Sequence, residues 1–161
     1  MSKIKELLKD DTSILVFDID GVLAVEEWGE HNHFALTDEE WTKACKSGIN
    51  GYTEDRVSPR MKHFIEGKNK SNLYVITTVG DNNEGEFKKQ FANRYYGIPL
   101  ENVYHCQSDI DKTKILSKIK EKNPNVSDEK IIMIDDTTNI LNNIMENTNF
   151  STVHISSFLD I

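Results

Sequence analysis

Three short apolar runs rich in β-branched residues, ILVF (14–17), LYVI (73–76) and IIMI (131–134), constrain the fold more than any other feature of the chain. Each is continuous rather than alternating, the pattern of strands buried on both faces of a parallel sheet, and each ends in polar residues. The segments between them have helical period: MKHFIEGK after Pro59, EGEFKKQFANRYYG from Glu84, and KTKILSKIKEK ending before Pro124. A weaker strand, NVYHC (102–106), follows the Gly-Ile-Pro turn at 97–99, and STVHI (151–155) follows a helix begun near Thr137 or Thr138. The N-terminal KIKELLK is expected as a helix laid against the body. This βα alternation predicts an α/β fold, a three-layer, Rossmann-like, doubly wound parallel sheet forming one domain over residues 1–161. In such sheets ligands collect outside the carboxyl ends of the strands.

One segment breaks the rhythm. Residues 26–58 form an insertion after the first strand, too small for a core of its own, and are expected to act as a flap or minimal lid. The insertion carries Trp28, His31, His33, Trp41 and the loop SGINGYTEDR, with a helix TDEEWTKACK capped by Thr37 or Asp38.

A net charge of −8 and a pI near 5.1 argue against a surface built for nonspecific nucleic-acid or anionic-membrane binding and suit a divalent cation. No segment approaches the roughly 20 apolar residues needed to cross a bilayer, and the first residues lack a signal-peptide core. A cytoplasmic protein is expected. Cys45 and Cys106 show neither a CxxC nor a zinc-type spacing, so reduced structural thiols are expected.

The chemistry gathers at strand ends. Asp18 and Asp20 close the first run, where strand alternation puts both side chains on one side of the backbone and Gly21 permits a sharp turn. Two carboxylates held together share a proton or bind a cation, and hard oxygen ligands suit Mg²⁺. Asp135 and Asp136 end the third run, so four carboxylates would converge at one sheet edge if both strands are central. Like charges at about 4 Å repel by about 4 kcal/mol at an effective dielectric of 20, so the cluster calls for a metal and a lysine. Lys112 and Lys114 open a helix before the third run, and Thr77 ends the second. A hydroxyl, an ammonium, carboxylates and a metal together can hold a phosphoryl group while one carboxylate attacks phosphorus.

These four motifs, FDIDGVL, the strand-end threonine of LYVITT, a lysine in DKTKIL and the acidic pair of MIDDTTN, resemble in kind and order those of the haloacid dehalogenase-like superfamily. The resemblance covers most of the chain and implies a Mg²⁺-dependent phosphomonoester hydrolase of small-cap or capless type, working through an aspartyl-phosphate. It implies Asp18 as nucleophile and Asp20 as general acid/base, protonating the leaving oxygen and then activating water. It also implies Mg²⁺ ligation by Asp18, the Asp20 carbonyl and Asp135 or Asp136, with Asp136 favoured as the closer ligand and Asp135 as a partner of lysine or a metal-bound water. Thr77 fits the motif better than Thr78 because it directly follows the apolar run. Lys112 matches a K-x-x-x-L helix start and is preferred to Lys114. Gly21, Thr78, Trp28, His31 and Arg60 are candidate substrate contacts.

Blander readings stand beside these. His31 and His33 read equally as loop residues, Trp28 as packing, Arg56, Arg60 and Lys62 as a solvated face, and Trp41, Phe64, Phe87, Phe91 and Tyr95 as core. The substrate would be a phosphorylated small molecule such as a nucleotide, or a polynucleotide end, with no membrane partner and with a homo-oligomer left open. A phosphotransferase or a non-catalytic phosphate- or metal-binding protein on the same fold is the alternative. A receiver-type phospho-acceptor domain is disfavoured by motif order, since here the lysine precedes the second acidic pair.

Overall fold

The computed structural model describes residues 3–25 and 37–160. Five strands, β1 (Ile14–Phe17), β2 (Leu73–Thr78), β3 (Val103–Cys106), β4 (Ile131–Asp135) and β5 (Ser151–His154), form one all-parallel sheet in the order β3-β2-β1-β4-β5. The helices are α1 (Lys3–Lys9), α2 (Asp38–Lys46), α3 (Pro59–Glu66), α4 (Asn82–Tyr96), α5 (Asp111–Lys122) and α6 (Thr138–Asn147).

Strand alternation explains why the apolar runs are continuous. Leu15 and Phe17 pack with Leu8 of α1, Met61 and Ile65 of α3, and Phe91, Ala92 and Tyr96 of α4. Ile14 and Val16 pack on the other face with Ile115, Leu116 and Ile119 of α5 and Ile140, Leu141 and Ile144 of α6. Both faces are covered, which gives the three-layer, Rossmann-like architecture that the βα pattern predicts. Among the described residues, no helix is long and apolar enough to cross a membrane.

Local chemistry sets the helix ends. Ser58 accepts from the Met61 N–H and Pro59 takes the first helical position of α3. Asp81 caps α4 by accepting from the Asn83 N–H, so this helix starts at Asn82 rather than at Glu84 as its periodicity suggested. It stops at Gly97, whose φ of +69° only glycine adopts freely. Thr37, and not Asp38, caps α2, in a reciprocal box with Glu40.

The ends of the insertion are pinned together. Ala24 and Val57 form an antiparallel bridge, with Val25 N–H donating to the Arg56 carbonyl at 2.8 Å and Ser58 N–H to the Leu23 carbonyl at 3.0 Å. Within it α2 packs on α4. Trp28, His31 and His33 lie outside the described residues.

This topology opens a crevice at one place. From β1 the chain passes through α3 on one face to β2, whereas from β4 it passes through α6 on the opposite face to β5. Because β1 and β4 are neighbours in register, Phe17 opposite Ile134, their carboxyl ends flank the switch point where ligands bind in open α/β sheets. Asp18 follows β1 there, Asp135 ends β4 and Asp136 follows it.

Ile134 is fully buried in the central strand beside Phe17. Ile134→Ala is expected to lower the unfolding free energy by about 2–5 kcal/mol, read as a lower urea midpoint at unchanged m-value. A loss below about 1 kcal/mol would contradict this packing.

Candidate active site

The centre of the site is one buried ammonium between two buried carboxylates. Lys112, in the first turn of α5 and 1% exposed, places Nζ 2.8 Å from Asp135 Oδ2 and 3.4 Å from Asp18 Oδ2. Burial opposes its charge, but Asp18 and Asp135 outweigh that cost and hold its pKa above the usual lysine value. Burial, chiefly, and the nearby Asp135 push the Asp18 carboxyl up to about 6, against the pull of Lys112. The other oxygen of Asp135 accepts from the Thr137 N–H at 2.9 Å.

Two side-chain oxygens at this place have no hydrogen-bond partner. Among the described residues the buried, unpartnered side-chain oxygens are Ser13 Oγ, Asp18 Oδ1 and Thr77 Oγ1. The last two leave adjacent strand ends, β1 and β2, and Thr77 is 1% exposed. Buried polar groups are normally satisfied, so an orphaned carboxylate oxygen and an orphaned hydroxyl at the ends of neighbouring strands mark groups left for a polar ligand.

Asp136 completes the acidic group. Asp18, Asp135 and Asp136 offer oxygens that lie within 4.8 Å of one another. Gly21 makes this possible: with φ at +76°, a Cβ there would stand 2.1 Å from Asp136 Oδ2. The carboxylate of Asp136 is exposed, and His154 steadies its backbone by donating from Nε2 to the Asp136 carbonyl, 2.8 Å away. An all-oxygen set with one unpartnered carboxylate oxygen fits a hard divalent cation such as Mg²⁺. Since both Asp135 oxygens are engaged by Lys112 and Thr137, Asp18 and Asp136 are the better placed of the three to ligate.

The side chain of Asp20 does not join this group, which corrects the expected convergence of four carboxylates. The chain turns after Ile19, with Ala24 N–H donating to the Ile19 carbonyl at 2.8 Å, and Asp20 meets a separate cluster. Lys88 of α4 lies 2.8 Å from its Oδ2, Arg56 lies 3.3 Å from its Oδ1, and the Tyr52 hydroxyl lies 3.1 and 3.2 Å from the two oxygens. Glu84 backs the cluster, 3.1 Å from Lys88 and accepting from the Trp41 indole at 3.0 Å.

Sequence reasoning missed most of this second cluster. Arg56 reads as part of a solvated face, and Glu84 and Lys88 read only as members of a helical segment. The available signal was the stripe Glu84, Lys88, Phe91, Ala92 and Tyr95, in which the apolar face of α4 runs on into two charged residues.

The remaining candidates sort by position. Lys114 is exposed and pairs with Asp111 at 2.8 Å, away from the acidic group, which leaves Lys112 as the lysine of the site. The Thr78 hydroxyl donates to Asp109 at 2.5 Å, whereas that of Thr77 is free for a ligand. Arg60 is exposed and donates to the Phe158 carbonyl, so the structure does not bring it to the acidic group. Trp28 and His31 cannot be placed, being outside the described residues. Trp41 is not simply core: it is partly buried against that core and also hydrogen-bonds Glu84.

The sequence matches no protein-family model and no curated protein. Among solved structures it is similar to DsGPDH of Dunaliella salina, with a TM-score of 0.58 and 14% identity over 96% of this chain. The chain spans 25% of that protein's length. At this identity the likeness supports the fold alone.

Lys112→Met would leave Asp18 and Asp135 facing each other without a counter-charge. It is expected to cost about 3–5 kcal/mol in thermal or urea unfolding, while Lys114→Met stays within about 0.5 kcal/mol of the parent. Equal effects of the two substitutions would contradict the geometry.

Proposed function

We propose that the chain is a Mg²⁺-dependent phosphomonoester hydrolase that works through an aspartyl-phosphate on Asp18. The observation that carries this reading is the state of the Asp18 carboxylate, with Lys112 against one oxygen and the other buried without a partner, while the Thr77 hydroxyl at the end of the neighbouring strand is also unpartnered. The four-motif resemblance to haloacid dehalogenase-like hydrolases supports the same reading.

In the proposed reaction an oxygen of Asp18 attacks phosphorus and the bond to the leaving oxygen breaks. Lys112 and Thr77 stabilise the phosphoryl oxygens by charge and by hydrogen bonding. Asp20, whose side chain is 43% exposed and so reachable by a ligand from solvent, gives a proton to the leaving oxygen as an acid. As a carboxylate it then takes a proton from water, the water oxygen bonds to phosphorus, and the bond from phosphorus to Asp18 breaks. Inorganic phosphate and free Asp18 result. Asp18, Asp136 and the Asp20 carbonyl would hold Mg²⁺, whose charge when bound neutralises phosphoryl oxygens. The proposed substrates are phosphorylated small molecules, nucleotides among them, or nucleic-acid ends.

The test is phosphate release from nucleotides, sugar phosphates and 3′- and 5′-phosphorylated oligonucleotides, with Mg²⁺ or with EDTA. Release is expected with Mg²⁺ only, and Asp18→Asn is expected to lower it at least about 1,000-fold while remaining folded. Mg²⁺ should raise the Tm of the parent and raise that of Asp18→Asn much less. Comparable turnover by Asp18→Asn, or undiminished turnover in EDTA, would refute the proposal.

A further inference from the structure

The side chain of Asp20 stands in a turn, half-exposed, with no strand or helix of its own to orient it. Three donors from distant parts of the chain converge on it. Lys88 binds Oδ2 at 2.8 Å, Arg56 binds Oδ1 at 3.3 Å, and Tyr52 reaches both oxygens. Each donor is itself fixed. Lys88 is 2% exposed and spends its other protons on the Thr78 carbonyl at 2.6 Å and on Glu84 at 3.1 Å. Arg56 donates through Nε to the Val25 carbonyl at 3.1 Å and lies 4.9 Å over the Tyr52 ring. Tyr52 packs edge-on against Trp41 and Phe91, at 5.6 and 5.9 Å between centroids.

The charges balance, with Lys88 and Arg56 facing Asp20 and Glu84. Three of these four ions are buried, and only Asp20 reaches solvent. A cluster that served stability alone would gain nothing by leaving one member open to solvent, since buried ion pairs are at best weakly stabilising against apolar replacements. The arrangement instead anchors the Asp20 carboxyl from behind while leaving it reachable in front. Tyr52 and Arg56 belong to the insertion, so the lid segment supplies two of the three anchors.

We infer that Lys88, Arg56 and Tyr52 are positioning residues for Asp20, so that the insertion sets the geometry of the acid/base group in the reaction proposed above, on which this inference rests. Proton transfer needs the carboxyl within hydrogen-bond reach of the leaving oxygen, so loss of an anchor harms esters in proportion to their need for that proton. Loss of packing would harm all esters alike.

The test is single-turnover phosphorylation of Asp18 by p-nitrophenyl phosphate, phenyl phosphate and an alkyl phosphate, in the parent, Tyr52→Phe and Arg56→Lys. Both variants keep most of the packing of the residue they replace. Each is expected to lose about 10- to 100-fold with the alkyl ester but no more than about threefold with p-nitrophenyl phosphate, whose leaving group needs little protonation. Mg²⁺ affinity by calorimetry should stay within about twofold of the parent, because the acidic group does not include the Asp20 side chain. An equal loss across the three esters, or a collapse of Mg²⁺ binding, would show structural support instead and overturn the inference. Unchanged rates with all three would overturn it as well, by showing that Asp20 is held without these residues. A parent that phosphorylates Asp18 neither with these three nor with any ester of the panel above refutes the hydrolase reading itself, which separates the two failures.

Discussion

The ammonium of Lys112 holds two carboxylates together at the point where the sheet sends its helices to opposite faces. Without that charge Asp18 and Asp135 could not both be buried as anions beside each other, and the carboxyl ends of β1 and β4 could not meet as they do. The contact ties α5 to the two central strands and leaves one oxygen of Asp18 aimed at nothing in the protein. The interaction that offsets part of the site's negative charge thus leaves the exposed Asp136 and the unpartnered oxygen of Asp18 available to a ligand.

A second consequence is a division between two charged clusters. One, around Lys112, is acidic on balance, with Asp18, Asp135 and Asp136 gathered about a single ammonium. The other, around Asp20, is balanced and built from α4 and the insertion. Asp18 and Asp20 are two residues apart in sequence, yet the turn that begins at Ile19 delivers them to different partners. Under the proposed mechanism the nucleophile and the acid/base therefore have different neighbours.

Much of this was legible in the residues. The continuous runs ILVF, LYVI and IIMI announce strands covered on both faces, and the helices between them are marked by Pro59, Gly97 and Pro124. Lys112 is only preferred to Lys114 by its helix position, and Thr77 to Thr78 by its place in the strand; burial sets each pair apart in the folded chain. The cluster around Asp20 was not legible, for a physical reason. Lys88 and Arg56 are residue types that normally face water, and only tertiary contacts between the insertion and α4 bury them. The start of α4 was misjudged by two residues because Asp81 caps it, and a capping aspartate looks in sequence like any loop acid.

The central claim is that Asp18 bonds covalently to phosphorus, and trapping tests it most directly. The protein would be mixed with Mg²⁺ and a ³²P-labelled phosphomonoester, quenched in acid, and reduced with borohydride, which converts an aspartyl-phosphate to homoserine. Label retained before reduction on the peptide holding Asp18, and homoserine at position 18 afterwards, is the result this account predicts. Phosphate released with no label on Asp18, or label on another residue, would contradict it.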